Sequence, residues 1–103
     1  MTWTPITPAF DASGRAVIDY GQIADLMAAH GLETNEVNIQ VARMALCAWV
    51  RRWCKARGIA FIGMDIMPSP RFDPRPYTRG NGLQAEIRAG RLWQGCLARM
   101  PKP

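Results

Sequence analysis

The sequence predicts an α+β fold, a single small domain in which about three helices pack on a small sheet with its principal strand near 59–67. Three observations predict it. Three stretches repeat apolar residues at the helical period. The run Ile59 to Met67 is short, β-branched and stopped by Pro68, the habit of a strand. The 103 residues, 49% apolar and 20% charged, suit one globular unit over 1–103 and leave no room for a second core.

Residues 1–18 carry Pro5 and Pro8, then the turn-forming stretch Asp11-Ala12-Ser13-Gly14-Arg15, flanked by Ile6 to Phe10 and Ala16 to Ile18. Prolines confine such a segment to a sheet edge, so an extended N-terminal arm or a hairpin is expected. Asp19 followed by Gln22 reads as a capping box, and Gly31 stands where a helix ends, which predicts a first helix over Tyr20 to His30. Its apolar arc holds Tyr20, Ile23, Leu26, Met27 and His30.

Thr34 or Asn35 can cap a second helix running to Arg57, with Gly58 as terminator. One stripe gathers Ile39, Ala42, Ala45, Leu46, Trp49 and Trp53, and a second gathers Val37, Val41, Met44 and Ala48. A helix apolar on two sides is central to its fold or covered by a partner. The expectation is a central helix, with a homodimer seam through Val37, Val41, Met44 and Ala48 as the alternative.

In the strand, Ala60, Ile62, Met64 and Ile66 share one face, expected to meet the core. The segment 69–82 follows, a Pro/Arg-rich loop in which Arg71, Arg75 and Arg79 recur every four residues among prolines that should hold it extended. Asn81 can cap a last helix, Leu83 to about Arg99. Its apolar side is Leu83, Ile87, Gly90, Trp93, Leu97 and Met100, with Gln84, Arg88, Arg91 and Arg99 opposite. Gly90 on that apolar side would admit a close neighbour.

The net charge of +5 is divided: residues 1–42 sum to −4, and residues 43–103, with twelve bases and three acids, to +9. A clustered positive field attracts polyanions, and arginine, eleven of the thirteen bases, forks onto phosphate and guanine. The longest apolar run, Met44 to Val50, has seven residues, against the ~18 of a membrane span, and no charged-then-apolar leader opens the chain. No membrane partner is expected. Cys47 and Cys54 lie about 10 Å apart along one helix at ~1.5 Å per residue, too far to bridge, which fits a reducing, cytoplasmic location.

Catalytic and metal chemistry find no support. The one histidine, His30, sits at a helix end, where terminal carbonyls attract it, and three isolated cysteines lack zinc-ligand spacing and read as small buried hydrophobes. Asp19, Asp25, Glu33 and Glu36 are explained by capping and solubility. Arg79-Gly80-Asn81-Gly82 opens a helix and could meet a phosphate, but turn plus cap is the better account and the segment is no Walker loop. A helix-turn-helix formed by the first two helices would present Glu36 and no base before Arg43 to phosphate. The expectation is therefore a protein with no catalytic residues, no cofactor and no metal.

The chemistry that remains lies in Arg71, Phe72, Arg75, Tyr77 and Arg79, followed by Arg88 and Arg91 on the last helix. Arginines interleaved with aromatic rings suit nucleic acid, cations on the backbone and rings under bases. The expectation is a non-enzymatic basic module contacting nucleic acid or a nucleoprotein through these residues. The alternative is a protein-directed adaptor or inhibitor, a small phage-type accessory protein binding an acidic protein surface.

Overall fold

A computed structural model describes residues 3–80 and 82–103, and it is an α+β fold. The expected hairpin forms. The Asp11 carboxylate accepts hydrogen bonds from the Ser13 N–H and hydroxyl and from the Arg15 N–H, at 2.9, 2.7 and 3.0 Å. Gly14 completes the turn at φ +87°, a conformation that side chains disfavour. Strand β1 (Ala9–Phe10) thereby pairs antiparallel with β2 (Ala16–Asp19).

The other edge of β2 pairs in parallel with β3 (Met64–Met67), Ala16 opposite Met64 and Asp19 opposite Met67. A parallel pair needs a crossover, and helices α1 (Tyr20–Ala29) and α2 (Glu36–Ala56) supply it. Asp19 ends β2 and starts α1. Its carboxylate accepts from the Gln22 N–H at 3.0 Å while Gln22 Oε1 accepts from the Asp19 N–H at 2.8 Å, the reciprocal box expected from sequence. Between Thr34 and Asn35 the structure selects Asn35 to cap α2, its Oδ1 accepting from the Asn38 N–H at 2.8 Å.

Helix α2 is central. Ile39, Val41, Ala42, Ala45, Leu46, Trp49, Val50 and Cys54 are buried, and Val37, Met44, Ala48 and Trp53 pack half-buried against the same core. Both apolar stripes are thus occupied largely from within the chain. Trp49, 1% exposed, meets Trp3 edge-on at 5.0 Å and donates from Nε1 to the Pro101 carbonyl at 2.7 Å. One indole in mid-helix so fastens both ends of the described chain to α2.

The strand expected near 59–67 forms, but over less of that run. Only Met64–Met67 of the run 59–67 pairs, and it forms an edge, while β2 lies in the middle. Gly63 is the cause: at φ +143° it breaks the extended run, and its missing Cβ leaves room for the Arg15 guanidinium, whose Nη1 would lie 2.5 Å from a Cβ there. Before that break Ala60 and Ile62 are exposed rather than core-facing.

The last helix, α4 (Gly82–Ala98), runs along α2; its expected face packs in the core at Trp93, Leu97 and Met100 but not in the first half of the helix. Ala85, Ala89, Cys96, Leu97 and Met100 are buried, whereas Leu83 is 71% and Ile87 48% exposed. In the first half of α4, Ala85 and Ala89 let the helix lie close against a partner filled by tryptophan, leucine and isoleucine, and they take the contact expected of Leu83 and Ile87. Gly90 faces open space and admits no neighbour. Asn81, expected to cap this helix, lies outside the described residues.

A fourth helix, the single turn α3 (Arg75–Thr78), interrupts the loop expected to be extended. Prolines suit the first turn of a helix, where no N–H is needed, and Pro74 and Pro76 occupy that turn here. Among the described residues no helix is long and apolar enough to cross a membrane.

Candidate functional site

The loop between β3 and α4 folds back on itself. The Phe72 N–H donates to the Ser69 carbonyl, the N–H groups of Tyr77 and Thr78 both donate to the Pro74 carbonyl, and the Thr78 hydroxyl does the same at 3.3 Å. Phe72 packs half-buried against the core, and Tyr77 lies over it with the rings nearly parallel, 9° between planes and 6.1 Å between centroids. The two aromatic residues expected at the site are therefore together, one rooted in the core and the other exposed.

The arginines separate into two groups. Arg71 reaches back to α1, its Nη1 and Nη2 donating to the two carboxylate oxygens of Asp25 at 3.0 and 3.2 Å. Gly21 makes this route possible, because a Cβ there would stand 2.5 Å from the Arg71 Nη2. The bonds to Asp25, then its charge, raise the Arg71 pKa further, and Asp19 adds to the same effect. Arg75 is held within the loop by Asp73: Nε and Nη2 donate to its oxygens at 2.8–3.0 Å, and the Arg75 N–H donates to Oδ1. These bonds hold the Asp73 carboxyl below its ordinary range.

Arg79, Arg88 and Arg91 are exposed and form no ion pair among the described residues. Every acid of residues 43–103 is already engaged: Asp65 by Arg15, Asp73 by Arg75, and Glu86, the one acid of α4, by Arg43 across to α2 at 2.8 Å. Arg51, Arg52, Lys55 and Arg57 crowd the end of α2 as a further cluster without ion pairs among the described residues, with Arg57 over the Trp53 ring at 4.0 Å and Arg51 over Phe61 at 5.3 Å. The positive half of the sequence is thus left largely uncompensated in the fold.

Two clefts open at the loop. One, about 630 Å³, is lined by Tyr20, Phe72, Pro68, Pro70, Pro74 and Ser69, and reaches Asp73, Arg75 and Thr78. The other, about 580 Å³, shares Asp73, Arg75 and Thr78 and adds Pro76 and Arg79. Sequence reasoning missed Tyr20 here because its helical spacing marked it as part of the packing arc of α1. Nothing in the sequence signals that the β3–α4 loop returns beside the start of that helix.

His30 Nδ1 lies 3.0 Å from the Leu26 carbonyl one turn back. Cys54 and Cys96 are buried free thiols whose pKa values burial raises, and Cys47 is half-buried. No family model matches this chain, and no curated protein or solved structure matches it significantly.

Proposed function

We propose that this protein is a non-enzymatic binding module that holds nucleic acid or a nucleoprotein through Arg79, Arg88 and Arg91, with Arg71, Arg75, Phe72 and Tyr77 shaping the adjoining loop. One observation carries the reading. All three acids of the +9 half are engaged by one arginine each, and these exposed guanidiniums have no ion-pair partner among the described residues. A field of that sign draws phosphate over about a Debye length, and each guanidinium can fork onto it. The absence of catalysis is part of the same reading: thiolate is disfavoured at Cys54 and Cys96, and His30 is occupied by a backbone carbonyl. Free thiols fit a reducing cytoplasm.

Fluorescence anisotropy of labelled single- and double-stranded oligonucleotides at two salt concentrations tests it. Micromolar or tighter affinity that falls steeply with salt is the expected result. No binding at low salt overturns it.

A second reading has its own observation. Leu83, Ile87 and Leu92 stand exposed on the helix that carries Arg88 and Arg91, a mixture suited to an acidic protein surface. A stoichiometric protein partner retained after nuclease treatment would favour that adaptor or inhibitor role.

A further inference from the structure

We propose that the two clefts of the β3–α4 loop form one site for an unpaired nucleotide of a single strand, its base between Tyr20 and Phe72 and its phosphate at Arg75 and Arg79. The inference rests on the nucleic-acid reading above and adds a location and a strand preference to it. The clefts share Asp73, Arg75 and Thr78, so they are adjoining halves of one depression. The half bounded by Tyr20, Phe72 and three prolines is aromatic and apolar, and the half bounded by Arg79 is cationic. A nucleotide has the same division, a flat π-face joined to an anion. The first half, at about 630 Å³, is within the roughly 300–1,000 Å³ of small-ligand sites.

The local geometry is set before any ligand arrives. Phe72 is rooted in the core and backed by Tyr77, which fixes the ring without covering it completely. Asp73 holds Arg75 by Nε and Nη2, leaving Nη1 free to donate to an anion from a fixed position. Asp73 also lines the second cleft and opposes phosphate in its immediate vicinity, but Arg75 engages it, so the anion sits toward Arg79. A base within a duplex cannot enter such a cleft without being flipped out, at a cost of a few kcal/mol. The site therefore selects single strands. A proline-rich peptide would also suit the aromatic half, but it has no use for the cationic one.

The test uses the full chain. A short labelled single strand should bind about tenfold tighter than its own duplex at equal salt. Phe72→Leu, which keeps apolar volume toward the core, should lower single-strand affinity roughly fivefold to tenfold and duplex affinity by less. On the unsubstituted protein, adenosine 5′-monophosphate should shift the amide resonances of Tyr20 and Phe72, which inorganic phosphate alone should not. That titration decides the matter even if Phe72→Leu fails to fold. Equal affinity for both strands, with no nucleotide shifts in the cleft, overturns this proposal and leaves the nucleic-acid reading standing. Failure of every oligonucleotide to bind overturns both, and cleft shifts produced by a proline-rich peptide but not by the nucleotide overturn this one.

Discussion

The β3–α4 loop and the outer face of α4 look alike in sequence and differ in what the fold leaves free. In the loop, Arg71 and Arg75 are tied to Asp25 and Asp73, and Arg79 alone is unpaired among the described residues. On α4, Arg88 and Arg91 have no acid to hold them, because Glu86 turns to Arg43 of α2. The density of arginine says where the positive charge is, and the placement of acids decides which of it can meet an external anion. Pairing at the surface contributes little to stability, about 0–1 kcal/mol, yet it fixes a guanidinium's direction. The loop is the positioned part of the site and α4 the open part.

The sharpest way to break this contrast is to remove the open part. Arg79→Ala, Arg88→Ala and Arg91→Ala together should lower oligonucleotide affinity on the order of 100-fold, at roughly fivefold or more per lost charged hydrogen bond. The salt slope should fall by about three units. Thermal stability should stay within about 0.5 kcal/mol per site, since none of the three is buried or paired. An unchanged slope measured by anisotropy would show that the uncompensated arginines are not the contact.

The reverse experiment frees a paired arginine. Asp25→Asn leaves Arg71 without its carboxylate, and binding should strengthen about threefold to fivefold, with the salt slope steeper by ~0.9 if one more phosphate is met. Stability should fall by less than about 1 kcal/mol, because both partners of this pair are more than half exposed. An unaltered slope would place Arg71 outside the interface whether paired or not.

Much of this architecture was legible from sequence because the signals were local. The capping box at Asp19 and Gln22, the Asp11 turn and the glycine after α2 each act within a few residues, and each is found as read. What failed depended on distance. Ile59 to Met67 has strand composition, but the Arg15 guanidinium, brought in from the hairpin, occupies the space at Gly63 where the run breaks. The first half of the α4 face was read from side-chain size, whereas close packing on α2 favoured Ala85 and Ala89; Leu97 and Met100 are buried as read. At the candidate site, the Asp73–Arg75 pair, two residues apart, was within reach of the sequence. The Arg71–Asp25 pair, 46 residues apart and dependent on a bare Gly21, was not.

Gly90→Ala separates stability from binding on α4. A Cβ at Gly90 meets nothing within 4 Å, and an interior helical glycine costs roughly 0.5–1 kcal/mol against alanine. Chemical denaturation should show that gain, with oligonucleotide affinity unaltered. A loss of stability instead would mean that a neighbour packs closely on this face.

The smallest effect concerns the positioned arginine. Arg75 lowers the Asp73 pKa below 3.8 through side-chain and backbone hydrogen bonds and then through charge. A carboxyl whose folded pKa is depressed adds stability above its unfolded value, and that stability is lost as pH falls through the folded one. Acid below about pH 4 should therefore both weaken the fold slightly and release Arg75 from its fixed direction. The carboxyl carbon shift of Asp73, followed by NMR, should titrate below 3.8 in the unsubstituted protein and return toward 3.8 in Arg75→Ala. A midpoint unmoved by that substitution would mean that Asp73 does not hold Arg75 in solution. Arg75 would then be as open as the arginines of α4, and Arg71 on Asp25 would be all that distinguishes the loop.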